Sequence, residues 1–127
     1  MESVEPMERN MELIRKILLK VESNTHQLKG PTLIEGFSQA LLVYNIKLLA
    51  QAGFITPSSL IDATRGYSVN HISGLTWEGH DFLDSIRDDS TWTHVKSKIK
   101  DIGSVPLEVV KALAIAYLTN KLTSASP

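Results

Sequence analysis

The sequence predicts an α+β fold that is mostly helical, and three observations support this class. Apolar residues recur at helical spacing in five segments, whereas residues 54–75 alternate apolar and polar positions as a strand pair does. The chain has 127 residues, of which 43% are hydrophobic and 21% are charged, which is typical of a globular domain with a buried core. No low-complexity stretch divides it. We therefore expect one domain over residues 7–122, a disordered N-terminus at residues 1–6 and a flexible tail at residues 123–127.

The first part of the predicted domain contains two helices. The first helix is expected at about residues 7–21, followed by a polar loop and a short strand at residues 32–37. Ser38 is suited to cap the second helix, which Gly53 ends because glycine adopts the left-handed conformation readily. Asn45 lies in the middle of the apolar face of this helix. We therefore expect a buried amide that bonds to a neighbouring loop or helix end.

The alternating stretch predicts a two-stranded β-hairpin. Its turn is expected at residues 64–68, where Gly66 supplies the positive φ that a tight turn requires. Thr76 follows the hairpin and is suited to cap a third helix, with Glu78 in its first turn.

Two further helices are expected after the third. The fourth begins at residues 88–90, and Pro106 opens a fifth that runs to about Leu122. We interpret Trp77 and Trp92 as core anchors rather than as platforms for stacking a ligand.

Composition restricts the classes of function. With 13 Lys and Arg against 14 Asp and Glu, the net charge is -1, so any contact with DNA would need a local basic patch. The absence of cysteine excludes disulfides, thiolate zinc sites and cysteine nucleophiles. We expect a cytoplasmic protein with no membrane contact, because the sequence shows neither a signal peptide nor an apolar run of about 20 residues.

The sequence offers no catalytic constellation. The four histidines are spread over a predicted loop, a strand and two helices: His26, His71, His80 and His94. His80 and Asp84 are one helical turn apart, but no third ligand is placed beside them by the sequence. We also find no nucleophile elbow, phosphate-binding loop or dinucleotide fingerprint. The prediction is a protein without catalytic residues, metal or cofactor.

Several motifs resemble known proteins. Residues 45–55 (NIKLLAQAGFI) are similar to the end of a recognition helix that leads into the first wing strand of bacterial metal-sensing and multidrug-type repressors, and residues 75–83 (LTWEGHDFL) to the segment after the wing. The chain is more similar still, over about residues 7–115, to the bacterial and phage family filed as domain of unknown function 2513. Three further stretches carry that similarity: 11–19 (MELIRKILL), 83–89 (LDSIRDD) and 105–113 (VPLEVVKAL). The resemblance implies a winged-helix-like core with a two-stranded wing, additional C-terminal helices, a bacterial or phage setting and no assigned activity.

Four residues are candidates for DNA contact. Gln39 and Lys47 fall on the solvent side of the second helix, where glutamine can read an adenine edge and lysine a guanine or a phosphate. Arg65 and Tyr67 lie at the expected tip of the hairpin, from which an arginine can enter a minor groove.

The fifth helix predicts association with another protein, because it is apolar almost all the way round and a terminal helix has little protein available to cover it. Its candidate contacts, in a homodimer or with another partner, are Val109, Leu113, Ala116 and Tyr117.

Two functions therefore remain open. The first is a non-catalytic DNA-associated regulator of a bacterial or phage element. The alternative is a protein-interaction module without DNA binding, such as a phage-encoded adaptor or inhibitor of a host factor. The alternative is favoured by the neutral charge and by the absence of a positioning helix between Glu22 and Ser38, where a helix-turn-helix would have one.

Overall fold

The structure, a computed structural model, describes residues 6–23, 34–57 and 72–124. Within these ranges it is mostly helical with one two-stranded antiparallel sheet, which confirms the α+β class. The elements are α1 (Met11–Ser23), α2 (Gln39–Gln51), β1 (Ile55–Pro57), β2 (Ile72–Leu75), α3 (Trp77–Ile86), α4 (Asp89–Ile99) and α5 (Leu107–Ser124). The chain forms two compact units, Met1–His80 and Asp81–Pro127, each described by itself below.

Helix α1 begins at Met11, four residues later than predicted, because Asn10 caps it. The Leu13 amide donates to Oδ1 of Asn10 at 3.0 Å, and the Ile14 amide donates to the Asn10 carbonyl at 2.9 Å. Met7 therefore precedes the helix rather than lying on its apolar face.

The short strand predicted at residues 32–37 is wrong for its described part, residues 34–37, which form a turn. Gly36 has φ +92°, a conformation that β-strands do not contain, and the Phe37 amide donates to the Ile34 carbonyl at 3.2 Å. The chain is thereby reversed directly before Ser38, whose side chain accepts from the Leu41 amide and caps α2 as predicted.

The hairpin connects α2 to α3. Gly53, at φ +80°, follows the end of α2 and stops the helix. Strand β1 pairs antiparallel with β2, and Ile55 lies opposite Leu75. These features confirm the predicted terminator and the predicted hairpin, whereas the expected turn at residues 64–68 lies outside the described residues.

Thr76 joins the base of the hairpin to the start of α3. Its amide donates to the Phe54 carbonyl at 3.1 Å, its hydroxyl donates to the Gly53 carbonyl, and the same hydroxyl oxygen accepts from the Gly79 amide at 3.0 Å. The predicted cap is therefore confirmed. Gly79 permits this close approach, because a Cβ at that position would lie 1.9 Å from the Phe54 carbonyl oxygen.

The core of the first unit lies between α1, α2 and the hairpin, with α1 packed on α2 and β2 and with α2 packed on β1. Its buried apolar side chains are Leu13, Ile14, Ile17, Leu18, Val21, Ile34, Leu41, Leu42, Ile46, Leu49, Ile55 and Ile72.

In the second unit α4 packs against α5. The buried apolar residues of this unit are Phe82, Leu83, Ile86, Trp92, Val95, Val110 and Ala114. Trp92 is thus a core residue as predicted, whereas the same expectation for Trp77, in the first unit, is wrong because its side chain is 82% exposed. No helix among the described residues has the length and apolar character to cross a bilayer.

Candidate binding face on helix α2

The outward side of α2 carries the first candidate site. We define the α2 face as Gln39, Ala40, Val43, Tyr44 and Lys47. Gln39, Ala40 and Lys47 are exposed, and Val43 and Tyr44 are half-buried. Lys47 is the only charged residue of the helix, so no carboxylate of α2 opposes an anion on this face.

Asn45 determines what lies beside the α2 face. This side chain is 0% exposed, and its Oδ1 accepts from the Asn10 amide at 2.9 Å. Its Nδ2 donates to the carbonyls of Glu8, at 3.2 Å, and of Leu41, at 2.9 Å. The prediction of a buried amide bonded to a neighbouring segment is confirmed. The segment before α1 is thereby fixed against α2, and the cap residue of α1 is fixed with it.

An open groove results from this attachment. It has a volume of about 540 Å³ and is lined mostly by apolar surface from Met7 together with the five residues of the α2 face. Met7 is 43% exposed, which is consistent with a place at the edge of an open groove rather than in a core.

The structure brings together two of the four predicted DNA-contacting residues. Gln39 and Lys47 lie on the same exposed face, eight residues apart, which is about 12 Å along a helix axis. Arg65 and Tyr67 lie outside the described residues. The sequence analysis missed Met7 and Tyr44 as lining residues. Asn10 was the available signal, because recognising it as the cap of α1 would have placed Met7 before the helix.

The predicted interface residues of α5 have different surroundings. Val109 is 40% exposed and Ala116 is also exposed, whereas Leu113 is half-buried. Tyr117 stacks on His94 of α4 with ring centroids 4.4 Å apart and an interplanar angle of 20°. Three exposed residues of α5 that sequence reasoning did not select lie on the same side as Val109 and Ala116: Ala112, Ile115 and Leu122.

A polar network surrounds Asp88 at the start of α4. Oδ2 of Asp88 accepts from the hydroxyls of Ser90 and Thr91 at 2.6 and 2.8 Å, from the Thr91 amide at 2.9 Å and from Nζ of Lys121 at 3.3 Å. The hydrogen bonds from Ser90 and Thr91 hold the pKa of this carboxyl well below its usual range. The arrangement is that of a helix cap tied to a neighbouring helix.

The described residues contain no group of three or more His, Asp or Glu side chains that would hold a metal ion. Nδ1 of His80 lies 3.8 Å from Oε2 of Glu22, and Asp84 instead pairs with Arg87 at 2.9 Å. His80 and Asp84, which are one helical turn apart, therefore each lie beside a different side chain.

Comparison with known proteins identifies the family. The family model described as "Hypothetical protein (DUF2513)" matches residues 8–106. A protein of Haemophilus influenzae, named "Uncharacterized protein", is 37% identical over 124 residues, which cover 91% of this chain and 99% of that protein. No solved structure matches the chain. Because the family model spans more than half of the sequence, the chain belongs to the DUF2513 family.

Proposed function

We propose that this chain is a non-catalytic, winged-helix-like, DNA-binding regulatory protein of a bacterial or phage element, acting in the cytoplasm. In this proposal α2 enters the major groove and the hairpin lies beside it. The order of α2, antiparallel hairpin and α3 supports the proposal, since it is the order in which a winged helix presents its recognition helix and wing. The partners of the proposal are duplex DNA and a second copy of the chain.

One observation carries the proposal: Gln39 and Lys47 are exposed together on a helix that contains no carboxylate. The major groove of B-DNA admits an α-helix, and a separation of about 12 Å along the axis spans three to four base pairs. Glutamine can read an adenine edge, lysine can reach a guanine or a phosphate, and an apolar side chain such as Val43 can contact a thymine methyl. The α2 face therefore has the side chains for a short base readout.

The charge distribution determines how strong this binding should be. A net charge of -1 and a single cation on α2 leave few phosphate contacts from this helix. Each phosphate contact adds about 0.9 to the slope of log affinity against log salt. We therefore expect weak non-specific binding with a shallow salt dependence.

Binding of labelled random duplex DNA, measured by fluorescence anisotropy across a salt series, tests the proposal. Lys47→Ala should weaken binding severalfold on every sequence and should lower the salt slope by about 1. Lys98→Ala is the matched control, because Lys98 is an exposed lysine of another helix, α4, and is not a residue of the α2 face. The proposal fails if the protein does not bind DNA at low salt, or if the control weakens binding as much as Lys47→Ala does.

The groove favours a second candidate function, in which the α2 face binds an apolar segment of a protein partner. Met7, Ala40, Val43 and Tyr44 supply a mostly apolar lining, with Gln39 and Lys47 as its polar members. Such a concave apolar surface with few polar groups is typical of sites that take a side chain or helix of another molecule.

Met7 separates the two functions because it lines the groove but lies outside α2. Met7→Ser should leave the affinity for DNA unchanged. It should weaken the capture of a protein partner, which is measured by covalent cross-linking in a bacterial lysate. Lys47→Ala should weaken DNA binding, which Met7→Ser leaves unchanged. A partner whose capture does not respond to Met7→Ser would show that the groove is not its binding site.

A further inference from the structure

Helix α5 presents a mostly apolar stripe to solvent. We define the outer stripe of α5 as six of its exposed residues, Val109, Ala112, Ile115, Ala116, Thr119 and Leu122. At 100° per residue they fall within about 140° of the helix circumference. The exposed fractions of the larger members are 40% for Val109, 46% for Ile115 and 72% for Leu122.

The sides of α5 that oppose and flank the outer stripe have partners within the second unit. Val110 and Ala114 are the buried residues of the helix. Lys111 lies 3.6 Å from Asp81, and Lys121 lies 3.3 Å from Asp88 and donates to Ser90. Both lysines of α5 are thus engaged within their own unit. The remaining charged residue of the helix, Glu108, lies at the N-terminal end of the outer stripe.

We infer that the outer stripe of α5 pairs antiparallel with the same stripe of a second copy of this chain. Four of its residues, Ala112, Ile115, Thr119 and Leu122, follow the 3-4-3 spacing of a coiled-coil seam. In a two-fold antiparallel pair, Leu122 of one copy faces Ala112 of the other, and Ile115 faces Thr119. Each large side chain then meets a smaller one in both directions, as a self-complementary interface requires.

Charge selects the same arrangement. A parallel pair would bring the two Glu108 carboxylates together, whereas an antiparallel pair places each at the opposite end from its equivalent. The antiparallel order also aligns the two helix dipoles favourably. Because the stripe contains no cation, it offers nothing to attract nucleic acid or an acidic protein, and a neutral copy of itself is the complementary surface.

The available area sets the strength of the pair. A helix of 18 residues is about 27 Å long, so a stripe along it covers on the order of a few hundred Å². Stable interfaces of standard size bury about 800 Å² per partner. We therefore expect a reversible dimer that forms in the micromolar range or above. This inference does not rest on DNA binding, and α5 lies beyond residue 106, where the family match ends.

Analytical ultracentrifugation of the full chain from about 5 to 500 µM tests the association. The mean mass should rise toward twice that of the monomer, and Ile115→Glu should weaken the association at least tenfold. Ile102→Glu is the matched control, since Ile102 is a 70% exposed isoleucine outside α5, and it should leave the association unchanged. A monomer over the whole range, or equal effects of the two variants, would overturn the inference.

Disulfide cross-linking tests whether the two α5 helices are antiparallel, and it introduces no charge. The introduced cysteines have no competitor, because the chain has no cysteine of its own. Oxidation of the double variant Ala112→Cys with Leu122→Cys should give a disulfide-linked dimer, while neither single variant should form a disulfide-linked dimer. A disulfide within one copy is excluded, since ten residues of helix separate the positions by about 15 Å. Dimers from the single variants would indicate a parallel pair, and an uncross-linked double variant would overturn the pairing itself.

Discussion

Different kinds of contact stabilise the interior of each of the two units. In the first, polar side chains bind backbone groups far away in sequence: Asn45 holds the segment before α1, and Thr76 joins the end of α2 to the start of α3. In the second, α4 and α5 meet through apolar packing, and the polar network around Asp88 is exposed at the helix ends. Directional hydrogen bonds specify one arrangement, whereas apolar packing tolerates several.

This difference also distinguishes the two exposed faces. The buried side chain of Asn45 ties the segment before α1 to α2, and Met7 of that segment lines the groove beside the α2 face. Helix α5 is apolar on nearly every side, so its packing alone determines which stripe stays exposed. A mixed polar and apolar face suits selective binding of a different molecule, and a mostly apolar stripe suits association with a second copy of itself.

The contacts of the first unit should fail sharply when they are disturbed, and Gly79→Ala provides the largest expected effect. The added Cβ would lie 1.9 Å from the Phe54 carbonyl oxygen, so the hairpin base or α3 must move. We expect a loss of about 3 kcal/mol in the free energy of unfolding, measured by urea denaturation. Gly74→Ala is the control, because a Cβ there meets nothing within 4 Å. Similar losses in both variants would mean that the close approach does not matter.

Asn45→Ala should have the next largest effect. The substitution leaves the Asn10 amide and the Glu8 carbonyl without their side-chain partner. Leaving a buried donor or acceptor unsatisfied costs about 1–3 kcal/mol. We expect a loss of roughly 2–3 kcal/mol in the free energy of unfolding, and faster hydrogen exchange of the Asn10 amide. Asn120→Ala, at an exposed position of α5, should change the unfolding free energy by less than about 0.5 kcal/mol. If Asn45→Ala is equally neutral, the tether does not stabilise the unit.

Three helix boundaries were predictable from the sequence, because each depends on one residue and its neighbours, whereas the start of α1 at Met11 was not. Ser38, Gly53 and Thr76 occupy their expected positions, since capping needs only a short polar side chain or a glycine at a given offset. The buried amide of Asn45 was predictable for a similar reason. A polar residue on an apolar helix face must find a partner, although the sequence did not say that the partners are Glu8 and Asn10.

The exposure of several large apolar residues was not predictable, because exposure depends on what covers a residue rather than on its own chemistry. Trp77 has the large, mostly apolar side chain that is typical of a core residue. It lies in the first turn of α3, however, and is 82% exposed. On α5 a pattern that is apolar all round does not show which side packs, so Ile115 and Leu122 were not selected. The groove was missed because Met7 reaches the α2 face from a distant part of the sequence.

The smallest expected effect tests the polar network of the second unit through its dependence on pH. Hydrogen bonds from Ser90 and Thr91 hold the pKa of Asp88 below its ordinary value of 3.8 in the folded chain. The unfolded chain therefore takes up the proton first on acidification, so the stability from this group is complete above about pH 5 and is lost progressively as pH falls below it. Asp88→Asn should reduce the fall in urea midpoint between neutral pH and about pH 2, because asparagine still caps α4 but does not titrate. Since the carboxylate is exposed, the difference should be small and should shrink further in high salt. An unchanged acid dependence in the variant would mean that this cap does not contribute to the unit's stability through its charge.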